Sequence, residues 1–370
     1  MPSKRAIEEA NRRGGYLDIS DNDKPWKNLF NFIYKKGKES IKEALKNFID
    51  EKVTIDLVFY NSKKFNAFVL KDERKCIIGL SGAVIPNILH VAKFTLSHEA
   101  NFFGRNHNYI GPDPNNNSID FLINDPDLYK FSEDNNLQSN IISVINMAID
   151  ILISHELCHL INGHIGWQKE QVDLNFMSEA NPKDSKIPFI IRQTLEWDAD
   201  TVGISRAFLR ALGVTLPDVC GLNYMYRLNL PSYNTHGTSQ QAIYLFKIAI
   251  MVLFSCMDRE RVSCGVNNSY PTPKMRRTYA MSMSDHVFST RIIPLIDNKS
   301  DLFNLYWGPS SSAILRFEKA WTFIFGHHIS FREKPDFEFI NSLNAYKSEF
   351  SKLSPHLYNH IMAPSAWDAF

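Results

Sequence analysis

The spacing of hydrophobic and polar positions changes along this chain, and each change predicts a different kind of element. The first fifty residues have an amphipathic helical period, with breaks at Gly14–Gly15 and around Pro25. β-Branched and aromatic residues then gather in three short runs separated by polar turns, at Val53–Tyr60, Asn66–Leu70 and Cys76–Ile85. These runs predict a small antiparallel sheet.

The helical period returns in the second part of the chain, at about 139–166, 187–212, 239–259 and 272–290, and the aromatic-rich residues from about 300 to 370 are also predicted to be helical. Glycine, proline and asparagine are frequent between the sheet and these helices, which predicts a loop-rich insertion at about 104–138. This insertion is either a lid over a site or a surface excursion. The predicted fold class is α+β, mostly helical, with the small antiparallel sheet ahead of the first long helix.

The charge balance argues against nucleic acid as a partner, because 41 Lys and Arg residues face 40 Asp and Glu residues among 370. Two segments are apolar enough to need a membrane test. Ile141–Ile153 contains Asn146 and Asp150, and Ala242–Met257 is short for a membrane span and contains Lys247. Both are predicted to be buried helices, so no membrane span is expected.

The N-terminal residues and the cysteines predict a cytoplasmic protein. Residues 1–21 are polar and contain no apolar core of a signal peptide. The five cysteines are scattered and form no CxxC pair, which is typical of a reducing compartment. The sequence indicates no oligomeric state.

The strongest chemical feature is the motif HELCH at 155–159, which follows isoleucine and leucine residues at helical spacing. On a helix, His155 and His159 share a face, so both imidazoles can reach one metal ion. Glu156 projects beside them, where its carboxylate can take a proton from a zinc-bound water. The pattern predicts one Zn²⁺ ion, with Glu156 as the general base of a hydrolytic reaction.

A third zinc ligand must come from elsewhere in the chain, and two glutamates qualify. Glu179 follows the motif, but Pro182 comes soon after it, and Lys183 stands where an acidic residue is expected one turn later. Glu196 is favoured because it lies inside the predicted helix at 187–212. His155, His159 and Glu196 together leave a fourth position open for water, which is typical of a catalytic zinc site.

Two aspartates follow Glu196 on the same predicted helix. Asp200 lies one turn after Glu196, where it can accept the free ring N–H of a zinc-bound histidine. Asp198 is expected to point away from this face and to be solvated.

Four elements of the sequence resemble, in order, the gluzincin peptidases of the CAAX-prenyl-protease and HtpX type. They are Asn66–Phe68 with the run Ile77–Gly82, HELCHLINGH at 155–164, the ExxAD signature at Glu196–Asp200, and Tyr270–Arg276, which resembles a His-Pro-x-x-x-x-Arg element. The resemblance covers about 66–276 and implies a zincin-like metallopeptidase fold that acts on a protein or peptide substrate. It also implies that an extended substrate pairs with the sheet edge near Asn66–Leu70.

Three residues are candidates for stabilising the transition state. Tyr270 stands where the family has histidine, and its hydroxyl can donate a hydrogen bond to a developing oxyanion. His236, in a predicted loop, and Arg276 are alternatives, although Arg276 with Arg277 is as easily a surface pair. His164 is expected to make a structural hydrogen bond.

These observations predict a zinc-dependent endopeptidase that hydrolyses a peptide bond of a cytoplasmic protein. The predicted segments are an N-terminal helical segment at 1–52, a zincin-like domain at 53–290 and a helical C-terminal extension at 291–370. A degenerate peptidase that serves as a zinc-binding recognition or regulatory module is the main alternative, although such a module does not need Glu156. Repressor-cleaving peptidases of the ImmA/IrrE type, which usually have Asn at the position of Asp200, and Lit-type phage-exclusion peptidases also remain open.

Overall fold

The computed structural model describes residues 2–20, 24–46, 50–102, 126–131, 133–172, 176–178, 187–212, 239–264, 272–295, 303–325 and 337–362. Most of the predicted insertion at 104–138 lies outside these ranges, so its role as a lid or a surface excursion stays a prediction. The described elements confirm an α+β protein that is mostly helical, with a small sheet; three of its strands precede the helix that carries the HELCH motif and one follows it.

Two helices, α1 (Lys4–Arg12) and α2 (Lys27–Leu45), confirm the helical prediction for the first fifty residues. Between them, Gly14 and Gly15 have φ angles of +128° and +114°. Residues with a Cβ are strained in this conformation, so the predicted break coincides with a backbone requirement for glycine.

Within the described ranges the sheet contains four strands, in the order β1 (Thr54–Tyr60), β3 (Lys75–Ser81), β2 (Ala67–Asp72) and β4 (Phe176–Ser178). β2 is antiparallel to both β3 and β4, but β1 is parallel to β3. The prediction of an antiparallel sheet is therefore wrong for this pair. The chain reverses after β1 and again after β2, as the polar turns predict, but β3 then lies beside β1 and runs in the same direction.

The third apolar run does not remain a strand over its whole length. Cys76–Ile85 was predicted as a single strand, but β3 ends at Ser81 and helix α3 (Val84–Phe102) begins three residues later. Both the end of β3 and the start of α3 are fully buried. Because a buried strand and a buried helix are equally apolar, the run shows no change of composition where the backbone changes.

The remaining helices follow the predicted segments closely. The segment at 139–166 is divided into two helices, because α4 ends at Ile161 and α5 begins at His164. Each of the segments predicted at 187–212, 239–259 and 272–290 contains one α-helix. The helices are α4 (Asn135–Ile161), α5 (His164–Val172), α6 (Phe189–Ala211), α7 (Ser239–Cys264), α8 (Pro273–Val287), α9 (Gly308–Phe325) and α10 (Phe337–Leu357).

Helix α4 lies at the centre of the hydrophobic core and packs against α2, α3, α6 and α7. Its start is set by the N-cap Asp134, whose side chain accepts the backbone N–H groups of Asn136 and Leu137. From Val144 to Ile161 every side chain of α4 is buried. The main core cluster extends from Trp26 to Leu357, so it contains residues of all three predicted segments.

By length and composition, α4 and the part of α7 at Ser239–Asp258 are apolar enough to cross a membrane. Inside the protein, 94% and 78% of these two apolar windows are buried. The core helix of a soluble protein meets the same criteria, so the two helices are weak evidence for a membrane span. Their burial agrees with the prediction of core helices, and the absence of a membrane span stays a prediction.

The C-terminal segment packs over the turn that joins α4 to α5. The backbone N–H of Met362 donates to the carbonyl oxygen of Ile161 at 3.0 Å. Gly163, in that turn, has a φ of +78°, and a Cβ there would lie 2.8 Å from the backbone carbon of His360 and from the carbonyl oxygen of Leu357. The turn therefore requires glycine both for its backbone conformation and for this close contact.

We expect Gly163→Ala to lower the free energy of unfolding by about 2 kcal/mol or more, since the left-handed conformation alone costs a residue with a Cβ about 1–2 kcal/mol. Urea unfolding followed by circular dichroism measures the loss. Ser312→Ala, at an exposed position of α9, is the matched control and should stay close to the wild type. An unchanged midpoint for Gly163→Ala would contradict this account of the turn.

Candidate metal centre

The last turns of α4 bring the two predicted histidine ligands together. His155 and His159 are four residues apart, so they share one face of the helix, and both are 2% exposed. Their Nε2 atoms are 3.2 Å apart. Two ligands that each lie about 2.1 Å from a tetrahedral metal ion are about 3.4 Å apart, so this spacing suits a common ion.

Glu196 completes this group from the neighbouring helix α6. Its carboxylate oxygens lie 3.3 Å from His155 Nε2 and 3.8 Å from His159 Nε2. Gly203, two turns later on the same face of α6, allows the close approach, because a Cβ there would lie 3.0 Å from the backbone nitrogen of His155. The structure therefore brings together the three residues predicted as metal ligands.

Asp200 occupies the predicted position behind His155. Its Oδ1 lies 3.0 Å from His155 Nδ1, and Arg276 of α8 donates to both of its oxygens at 2.8 Å. Burial raises the pKa of Asp200, but the Arg276 guanidinium and the His155 ring outweigh it and hold the pKa below its ordinary value. Asp200 is therefore an ionised acceptor, and His155 donates its Nδ1–H to it.

Behind His159 lies a pair of side chains that the sequence prediction did not assign to the site. The Nδ1 atoms of His159 and His164 are 2.8 Å apart, and His164 Nε2 lies 2.8 Å from Asp198 Oδ2. Asn162 also donates to that oxygen, at 2.7 Å. His164 thus makes the hydrogen bonds expected of it, and one of them reaches a metal-ligand candidate.

The expectation that Asp198 is solvated is wrong, because its side chain is fully buried. Asp198 does point away from Glu196, but the turn after α4 covers that side of α6. Arg276 and Arg277 are likewise buried, at 5% and 3% exposure, and do not form a surface pair. The sequence carried one sign of these contacts, since Asn162 and His164 follow closely after His159 and Asp198 lies two residues after Glu196.

Glu156, the predicted general base, is 1% exposed. Burial raises the pKa of Tyr60 at the end of β1, and the nearby Glu156 carboxylate adds to this rise. Glu156 follows His155 in the sequence and does not belong to the group of ligand atoms.

The donor atoms of His155, His159 and Glu196 could hold a metal ion. Burial and the neighbouring rings of His155 and His164 hold the pKa of His159 well below its ordinary value, so its imidazole is neutral. With hydrogen-bond acceptors at both Nδ1 atoms, the two Nε2 atoms present lone pairs towards each other and towards a carboxylate. Such a group of lone pairs fits a cation between them.

A second group, Cys158, His164 and Asp198, also has donor atoms close enough to hold a metal ion. Its geometry favours a hydrogen-bond network, because 2.8 Å between His164 Nε2 and Asp198 Oδ2 is a hydrogen-bond distance and is short for two ligands of one ion. Burial, with a further contribution from Asp198, raises the pKa of the Cys158 thiol well above its ordinary value. The thiol therefore stays protonated in this environment.

Three of the predicted residues are not described by the structure, and the predicted substrate-binding edge is already paired with another strand. Tyr270, Glu179 and His236 lie outside the described residues, so their roles stay predictions. The expectation that substrate pairs with the edge of β2 is wrong for the register Phe68–Leu70, because β4 already pairs antiparallel with these residues. The apolar pattern marked β2 as a strand but could not show which segment covers its outer edge.

We expect Arg276→Met to lower the free energy of unfolding of the metal-free protein by about 3–5 kcal/mol at neutral pH, because it leaves Asp200 buried without its cation. The pKa of Asp200 is lowered in the folded protein, so its ion pair stabilises the fold above the unfolded-state pKa of about 4 and stops doing so as the pH falls through the folded value. The difference from the wild type should therefore shrink in acid.

Urea unfolding at several pH values measures this effect, and Arg277→Met is the control because its partner Asp258 is 34% exposed. If Arg276→Met lowers the free energy of unfolding no more than Arg277→Met does, the importance of the buried pair of Arg276 and Asp200 would be contradicted.

Comparison with known proteins identifies no relative of this chain: no family model, no curated protein and no solved structure matches it. The gluzincin resemblance therefore stays a prediction, and the function has to be inferred from the chemistry of the site.

Proposed function

We propose that this protein is a zinc-dependent endopeptidase whose metal ligands are His155, His159 and Glu196. The observation that supports this most is the convergence of these three side chains in a buried site, with the buried Glu156 adjacent to His155 in the sequence. A site that only stabilised the fold would need no further carboxylate next to the ligands.

Zinc is proposed because the donor set consists of two imidazoles and one carboxylate. This combination suits Zn²⁺ and is frequent in catalytic zinc sites, which keep a fourth position for water or substrate. When bound, zinc would lower the pKa of a water molecule and polarise the carbonyl group of the substrate.

Glu156 would move the proton in the reaction. Its carboxylate takes a proton from the water that attacks the peptide carbonyl, and a bond forms between the water oxygen and the carbonyl carbon. The same carboxyl group then gives the proton to the leaving amine as the C–N bond breaks. The buried position of Glu156 supports this role, because a carboxylate shielded from bulk water exchanges its proton with the reactants.

Tyr270 remains the proposed donor to the developing oxyanion. It precedes Thr272, the N-cap of α8, by two residues, and Arg276 in the first turn of that helix contacts Asp200. The start of α8, which follows Tyr270 in the sequence, therefore lies next to Asp200. The proposed substrate is a peptide bond in a protein, and the proposed location is the cytoplasm.

We expect Glu156→Gln to bind zinc as the wild type does while peptide hydrolysis falls by about 100- to 10,000-fold, because the amide keeps the shape but cannot accept the proton. Metal content is measured by atomic emission, and cleavage by mapping new protein N-termini in cells that express each form. Glu170→Gln, an exposed glutamate of α5, is the control and should cleave normally.

New N-termini with the wild type and the control, but not with Glu156→Gln, would support the peptidase. If both proteins bind zinc and the N-termini found with Glu156→Gln are the same as those found with the wild type, the recognition module would be favoured instead.

We expect His155→Ala and Glu196→Gln to abolish stoichiometric zinc binding, because each removes one of three ligands. Metal content after dialysis against a weak chelator measures this. Glu179→Gln tests the alternative ligand and should retain zinc. Retention of zinc by Glu196→Gln together with its loss in Glu179→Gln would overturn the ligand assignment.

A further inference from the structure

We propose that Asp198 and His164 form a positioning pair that sets the ring tautomer of His159 and so makes its Nε2 available to the metal. This inference rests on the proposed function, because it assumes that His159 is a metal ligand. It assigns a role to two residues outside the predicted ligand set.

The three side chains form a continuous hydrogen-bonded chain inside the protein. His159 Nδ1 lies 2.8 Å from His164 Nδ1, and His164 Nε2 lies 2.8 Å from Asp198 Oδ2. His164 and Asp198 are fully buried and His159 is 2% exposed, so bulk water does not compete for these bonds. Asn162 adds a second hydrogen bond to Asp198 Oδ2 and fixes that carboxylate.

The direction of each hydrogen bond follows from Asp198 Oδ2, which acts as an acceptor because it receives the Asn162 amide N–H, a group that can only donate. Asp198 therefore receives the Nε2–H of His164, and His164 Nδ1 is left with a lone pair. That lone pair receives the Nδ1–H of His159. His159 Nε2 then carries a lone pair, which is the form a metal ligand requires.

The opposite tautomer of His159 would close the site to a cation. An N–H on His159 Nε2 would point towards His155 Nε2, at 3.2 Å, and towards Glu196, at 3.8 Å. His155 Nε2 and Glu196 Oε1 are both acceptors, so the ligands would form hydrogen bonds with one another instead of binding a cation. Asp198 opposes this state because its carboxylate holds the proton of His164 on the far side of the ring.

The two ligand histidines are thus supported in different ways. His155 donates directly to Asp200, whose charge Arg276 balances, whereas His159 reaches Asp198 through a second imidazole. Hydrogen bonds to metal-ligating histidines typically contribute 10- to 100-fold to metal affinity. We therefore expect a loss of this size when the His159 branch is broken.

The test compares zinc affinity, by competition with a chromogenic chelator, for the wild type and four variants of the full chain. His164→Leu removes the acceptor for His159 Nδ1–H, while His164→Gln retains an amide oxygen that can accept it. Asp198→Asn removes the charge that sets the tautomer. Asp150→Asn is the control. Asp150 is a buried carboxylate on α4, the helix that carries His159, and it pairs with Arg210 at 2.9 Å.

The expected order is specific to a positioning role. His164→Leu and Asp198→Asn should bind zinc about 10- to 100-fold more weakly, His164→Gln should lose less, and the visible spectrum of the cobalt-substituted protein should change in the same order. Asp150→Asn should lower the melting temperature while its zinc affinity stays that of the wild type. If Asp198→Asn does not fold, the contrast between Leu and Gln at position 164 still decides the result.

Wild-type affinity and an unchanged cobalt spectrum in His164→Leu would overturn the inference while leaving the proposed peptidase intact. Two zinc ions per wild-type chain, with one lost in His164→Leu, would also overturn it and would assign Cys158, His164 and Asp198 to a second site. No metal on the wild type would be a failure of the proposed function itself.

Discussion

The contact between α6 and the last turns of α4 is the one on which the rest of the candidate site depends. α4 supplies both histidines through its own repeat, but their carboxylate partner must come from another element. Gly203 lets the α6 backbone approach His155, where a Cβ would lie only 3.0 Å from the backbone nitrogen. Since Glu196 precedes Gly203 by two turns on the same face, the same approach brings its carboxylate to the imidazoles. The hydrophobic surroundings of α4 on its other sides keep this distance fixed.

Charge balance is the second physical constraint on the site. Several acidic side chains are buried within a small volume, and burying an ionised carboxylate is costly unless it is paired or hydrogen-bonded. Arg276 balances Asp200, and neutral donors hold Asp198. A divalent cation between the histidines and Glu196 would balance the remaining two charges, those of Glu196 and Glu156. The buried acidic residues of this region are Glu156, Glu196, Asp198 and Asp200.

The C-terminal segment, in which the sequence shows no chemistry, supports the site from two sides. On α10, Tyr346 donates a hydrogen bond to Gln193 of α6 at 3.0 Å, and the ring of Phe350 lies against Trp197. Further along, His360 packs on Gly163 in the turn that precedes His164. Both the helix that carries Glu196 and the turn that places His164 are therefore held by residues remote in sequence.

The sequence by itself determined the features that depend on local spacing. It placed His155 and His159 on one face of a buried helix, because four residues make about one helical turn, and it favoured Glu196 and Asp200 for the same reason. Only the tertiary structure decided which elements lie next to each other. The parallel pairing of β1 with β3, the cover that β4 makes over β2, and the burial of Asp198 beneath the turn after α4 each depend on a neighbour distant in sequence. Periodicity describes one element at a time, whereas burial and partners are properties of two elements in contact.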